Sequence, residues 1–247
     1  MARHRNRPRQ SSPLNLPSAF ALFTSSKEIV LKNIWIFGPL YAVPVIFWIH
    51  SWIWASASSV IGNGQWWGRF SGVDSGWGFS PLSSWSDAFI GFSIFWFLIA
   101  VVGGTIAQLM VTIASLEATE NKALDFQDLW QRVKKLGWRL VGLDILVGLY
   151  VIVGFFLLII PGLIMVRRYF LAPYVMIDKN CGIKEAMERS ASISKPYSGS
   201  IWGIVGVMIL IGLVGVVPLI GGLASLVLGM LYTLAPALRY QQLKKLS

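Results

Sequence analysis

The stretch IIPGLIMVRRYFLAPYVMIDK (residues 159–179) decides how the chain is read. It opens on a Pro-Gly pair and runs apolar on both flanks, as a membrane span would, yet Arg167 and Arg168 sit side by side near its centre. A charge at mid-bilayer costs at least roughly 2.5–3.5 kcal/mol on insertion scales, so it faces a partner or water. Two questions follow: whether lipid surrounds this stretch, and what meets two cations there.

Composition answers the first. Of 247 residues, 55% are hydrophobic and 13% charged, and the mean hydropathy is +0.64. Soluble domains carry about a quarter charged residues. The apolar residues fall into blocks at 33–57, 88–116, 138–160, 161–178, 200–217 and 219–240. Most are long enough to cross a hydrocarbon core of about 30 Å, and the fourth and fifth reach only about 27 Å. The formal net charge of +10 does not point to nucleic acid, because the charges flank apolar blocks rather than forming one face of a soluble domain.

Loop charge sets the orientation. The connection 58–87 holds one basic residue, Arg69, and the turns near 160–161 and 217–219 hold none. Apart from Arg167 and Arg168, every other Lys and Arg falls on the opposite side, which the positive-inside rule makes cytoplasmic. Both termini are therefore expected in the cytoplasm. Residues 1–16 carry Arg3, Arg5, Arg7 and Arg9 with no apolar run following at signal-peptide distance, and read as a basic disordered tail. Such a tail sets topology, or adds attraction of about 1 kcal/mol per basic residue near anionic headgroups. The external loop is rich in Gly, Ser and Trp. Trp66, Trp67, Trp77 and Trp85, with Trp48, Trp52 and Trp54, suit a headgroup-level aromatic belt, and His50 reads as an interfacial residue.

Between the blocks lie stretches with helical periodicity. In DFQDLWQRVKKLGW the apolar positions are Phe126, Leu129, Trp130, Val133 and Leu136; in GIKEAMERSASIS they are Ile183, Ala186, Met187, Ser190 and Ile193. Near the N-terminus Phe20, Phe23, Ile29 and Val30 follow the same rule. Helices of this kind lie in the membrane interface or cap a bundle. The chain thus reads as three copies of one unit, an interfacial helix followed by a transmembrane hairpin. The later two share a proline in the hairpin turn and carry YFLAP (169–173) and YTLAP (232–236) on the returning span.

Candidate chemistry is sparse. His4 and His50 are the only histidines, there is no phosphate-cradling Gly-rich loop, and acids are thinly spread, so an active site would lack general acids and bases. A non-enzymatic protein without cofactor or metal is expected. Cys181, the single cysteine, excludes an intrachain disulfide and reads as a plain buried thiol rather than a palmitoylation site. Within the blocks, Asp144 is the acid that could meet an arginine. By helical rise it lies about 9 Å from the inner end of its span and Arg168 about 15 Å from that of its own, a gap of about 6 Å. Measured from the outer turn the gap is about 14 Å and the pair fails. Arg167 and Arg168 lie about 100° apart around a helix, so one acid does not neutralise both. The remaining charge either holds an anionic lipid headgroup, for which a guanidinium is well shaped, or snorkels to water. Paired glycines, Gly103 with Gly104 and Gly221 with Gly222, read as places of close helix approach.

The run PGLIMVRRYFLAPYVMIDKNCGIKEAMERSASISK resembles a prokaryotic group of six-span proteins. That group includes the membrane domain of some glycerophosphodiester phosphodiesterases and related uncharacterised inner-membrane proteins. The likeness rests on Pro161-Gly162, Arg167 and Arg168, Pro173, Asp178, and EAMERS with Ala186 and Ser190, and is best over 155–206. The catalytic barrel of those enzymes has no counterpart here, so the resemblance implies fold and location and supplies no substrate. The expectation is an all-α polytopic membrane protein, with residues 17–247 forming one six-span domain and cytoplasmic amphipathic helices at the interface. It would sit in a prokaryotic cytoplasmic (inner) membrane and bind lipid or a membrane partner, including another copy of itself. A small transporter or permease subunit is the alternative, with a lipid-modifying enzyme third.

Overall fold

The computed structural model describes residues 16–62, 82–217 and 220–246. Every regular element among them is a helix: α1 (Ala19–Lys32), α2 (Ile34–Gly62), α3 (Leu82–Thr119), α4 (Phe126–Leu157), α5 (Ile159–Tyr169), α6 (Ala172–Lys179), α7 (Ile183–Ser194), α8 (Ser198–Val214), α9 (Gly221–Tyr232) and α10 (Ala235–Lys244). Four stretches are long and apolar enough to cross a membrane: Ile94–Thr119, Phe126–Leu157, Ile160–Lys179 and Gly221–Lys244. The number rises to six if each of two bent pairs, α1 with α2 and α7 with α8, counts as one span. This is compatible with an integral membrane protein.

The bends show how an amphipathic helix joins an apolar one. α1 meets the start of α2 at 100°, and α7 meets α8 at 106°. At the first corner Asn33 caps α1, its side-chain amide donating to the Ile29 carbonyl (2.9 Å). The middle unit differs from the sequence expectation. Residues 126–137 are not a separate interfacial helix but the first turns of the unbroken α4, because no proline or cap interrupts the chain where the apolar block starts. Of its expected stripe, Leu129, Val133 and Leu136 are inside, whereas Phe126 and Trp130 are exposed, the Lys134 ammonium standing 5.3 Å from the Trp130 ring. In α1 the inward stripe is Leu22, Ser26 and Val30, and Phe20, expected on the apolar face, is 69% exposed.

Glycines set the hairpin spacing. The α4–α5 turn falls at Leu158, earlier than the Ile160–Pro161 position expected, so that Pro161 occupies the first turn of α5, where a missing N–H is harmless. A Cβ on Gly154 would stand 2.8 Å from the Gly162 Cα, and one on Gly221 would collide with the Val214 carbonyl oxygen. Gly104 has open space instead and is not a close-approach point.

The two LAP sequences break their helices in the same way. α5 ends at Tyr169 and α6 restarts at Ala172; α9 ends at Tyr232 and α10 restarts at Ala235, each restart carrying its proline in the first two positions. A proline offers no N–H to the carbonyl four residues back. A buried serine from an amphipathic helix serves each break. Ser190 of α7 donates to the Arg168 carbonyl (2.7 Å). Ser26 of α1 donates to the Leu231 carbonyl (2.6 Å) and accepts from the Leu234 N–H (3.2 Å). Arg168 and Leu231 each directly precede the tyrosine of their copy. α3 is the internal control. Ala114 stands as far before Asn121 as Pro173 does before Asn180, both asparagines adopt left-handed φ (56° and 46°), and without the proline α3 has no break.

Packing is concentrated at one end. The core draws on Val30, Phe37, the 109–118 turns of α3, Leu129 to Leu143 of α4, Ala172 and Tyr174 to Ile177 of α6, and the inner face of α10. The opposite ends are uncovered: Phe156 is 93% exposed, and Leu158, Ile160, Val216 and Ile220 are also exposed. Replacing Ser26 by Ala leaves a buried carbonyl and a buried N–H unpaired, so Ser26→Ala should lower unfolding stability in detergent by roughly 1–3 kcal/mol. Exposed Ser25→Ala should leave it unchanged; equal effects would show that the serine contact does not hold the break.

Candidate functional site

Arg167 and Arg168 close the last turn of α5, where the carbonyl end of a helix favours cations. Both line a cavity of about 460 Å³ between α5 and α7, together with Ile164, Glu188, Ser192 and Lys195. The spacing explains the convergence: 164, 167 and 168 share one face of α5, and 188, 192 and 195 share one face of α7. The Ser190 bond to the Arg168 carbonyl clamps the two helices together beneath it. Three cations and one carboxylate therefore look into a single cleft.

The two arginines exchange the positions expected of them. Arg168 is exposed, its guanidinium 5.8 Å from the Tyr169 ring. Arg167 is half-buried, with its Nε shielded from solvent and without a hydrogen-bond partner. No ion pair joins either arginine to Asp144 among the described residues. Asp144 faces α3, lining one cavity of about 490 Å³ with Thr105 and Gln108. It also lines a second of about 150 Å³ that reaches Pro173 and Pro236. Axial distance along two spans did not capture the azimuth: the arginines turn toward α7 and the aspartate toward α3.

A polar layer at the packed end was missed from sequence. Glu117, buried in the last turn of α3, pairs with Arg132 (2.8 Å). Asp178, at the end of α6, accepts from the Tyr240 hydroxyl (2.8 Å) and from Lys244 (2.6 Å). Glu120 accepts from the Gln241 amide (2.9 Å) and pairs with Lys122. The Lys122 hydrogen bond holds the Glu120 carboxyl below the usual range, against the opposing effect of burial. Arg239 is wholly buried; its Nη2 donates to the Pro17 carbonyl (2.7 Å) and its Nη1 to Gln242 (3.1 Å), fastening the segment before α1. The available signal was a basic residue, Arg239, inside the last apolar block.

Several expected features lie outside the described residues: Arg69, the 1–15 part of the basic tail, and Trp66, Trp67 and Trp77, with the side chains of Trp48, Trp52, Trp54 and Trp85. His50 stacks on Trp96, ring centroids 5.1 Å apart. Among the described residues no group of three or more His, Cys, Asp or Glu could hold a metal. No protein-family model, curated protein or solved structure matches the chain.

Cys181 is 8% exposed, beside the Val175 carbonyl. Burial pushes its thiol up from the usual range. Thiolate is the reactive form, so alkylation of the folded protein by iodoacetamide at pH 7.5 should be slow and should accelerate at least tenfold on unfolding. Equal rates would mean that the residue is accessible in the folded state.

Proposed function

We propose that the chain is a non-enzymatic, six-span protein of a prokaryotic cytoplasmic membrane whose cleft between α5 and α7 binds an anionic lipid headgroup. One observation carries the reading. The YFLAP and YTLAP breaks are built alike, each with a serine from an amphipathic helix, yet Arg167 and Arg168 of the first stand where the second has Met230 and Leu231. The break forms equally well with apolar residues there, so the arginines are not needed to build it. Their guanidiniums, joined by Lys195 and opposed only by Glu188, suit a phosphate held by parallel hydrogen bonds. Exposed apolar residues on the same helix, Ile160, Leu163 and Ile164, supply a surface for acyl chains.

α1 and α7 are read as cytoplasmic interfacial helices, with both termini on the same side. The one-sided distribution of Lys and Arg supports this placement, and the resemblance to six-span inner-membrane proteins agrees with it. A small transporter or permease subunit is the second reading, favoured by the two cavities that Asp144 lines.

Phosphatidylglycerol added to the protein in a neutral detergent should raise its melting temperature by roughly 2–5 °C over phosphatidylcholine. The paired change Arg167→Gln with Arg168→Gln should remove that difference, and Arg189→Gln, outside the cleft, should keep it. An undiminished response in the paired variant would refute the headgroup site.

For the orientation, a cysteine placed by Ser75→Cys in a Cys181→Ser background should react with an impermeant maleimide in intact cells. Lys184→Cys should react only after permeabilisation. The reverse pattern would invert the topology.

A further inference from the structure

We infer that the cavity where both helix breaks meet Asp144 is a binding site for a small monovalent cation, separate from the arginine cleft. The cavity measures about 150 Å³ and is bounded by Gln108 and Thr112 of α3, Asp144 of α4, Pro173 and Tyr174 of α6, and Pro236 of α10. A water molecule's share of liquid volume is about 30 Å³, so the space holds an ion with a few waters.

The lining chemistry is that of a cation site. Asp144 brings one carboxylate, and no Lys, Arg or His borders either cavity that it lines. Among the described residues, its carboxylate and the Gln108 amide have no side-chain hydrogen bond or ion pair. The inner-end acids are already used: Glu117 pairs with Arg132 and Asp178 with Lys244. The Thr112 hydroxyl donates to the Gln108 carbonyl, which leaves its lone pairs as acceptors.

Both breaks border the cavity through their prolines, Pro173 and Pro236. Pro173 and Pro236 withhold an N–H from the carbonyls of Tyr169 and Tyr232. Those carbonyls belong to the C-terminal ends of α5 and α9, the negative ends of the helix dipoles. A single carboxylate balances a monovalent ion, whereas a divalent ion calls for more anionic ligands. The larger cavity of about 490 Å³ lies between α3 and α4 and shares Asp144 and Gln108 with the smaller one.

The test uses the full chain in neutral detergent at fixed pH, with lithium, sodium, potassium or choline chloride at equal ionic strength. At least one small cation should raise the melting temperature of the unaltered protein by roughly 3–6 °C over choline. The rise should vanish in Asp144→Asn, persist in Arg167→Gln, and need about tenfold more salt in Gln108→Ala. Circular dichroism of Asp144→Asn checks that its helices are intact; should that variant not fold, the Gln108→Ala titration decides. Identical melting in all four salts overturns the site, as does an undiminished cation response in Asp144→Asn or an unshifted midpoint in Gln108→Ala.

Discussion

A carbonyl that loses its helical donor in water is rehydrated at once, but inside an apolar bundle it stays unpaired at a cost of several kcal/mol. Two spans of this chain accept proline where such carbonyls arise, and much of the architecture answers that constraint. Ser190 and Ser26 each bond the carbonyl one residue before the one its proline leaves open, and each can do so only if its amphipathic helix lies directly across the broken span. That requirement fixes α7 against α5 and α1 against α9. The arginine cleft is a by-product, opening on the side of α5 and α7 beyond the serine contact. The cavity at Asp144 is another, since both prolines border it.

The sequence was legible where local rules act alone. Apolar block length found the long helices, Pro161 and the two LAP runs marked real interruptions, and the 3.6-residue period of α7 correctly placed Ala186, Met187 and Ser190 inside. It failed where the answer depends on a distant element. Phe20 was put on the buried face because it is apolar, whereas the stripe that faces α9 centres on a serine, Ser26, which periodicity of hydrophobic residues passes over. Arg168 and Asp144 were compared along one coordinate, and rotation about the helix axis separates them. Asp178 and Arg239 stand inside apolar blocks, and nothing local shows what they meet. Their partners, Lys244 and Pro17, lie 66 and 222 residues away in sequence.

The uneven packing follows from two solvents. At the end where α3, α6 and α10 meet, apolar residues bury one another, and Glu117, Asp178 and Arg239 each find a protein partner in Arg132, Lys244 and Pro17. Toward the other end, Tyr150, Ile152 and Phe156 of α4 face outward. Hydrocarbon tails are as apolar as these side chains, so nothing drives them together. There the hairpins rely on close backbone approach at Gly154 with Gly162, and at Gly221, in place of a hydrophobic core.

The Ser26 contact also orders events during synthesis. Its acceptor on α9 is 205 residues further along the chain. At about 5–20 residues per second, α1 waits on the order of 10–40 s for its seat to be made. Through that interval its buried stripe lacks the helix that covers it in the folded protein. α1 is thus made well before α9 yet reaches its Ser26 contact only after α9 exists. A chain stopped before α9 would release its own N-terminal helix, so incomplete copies carry a loose amphipathic segment that complete ones do not.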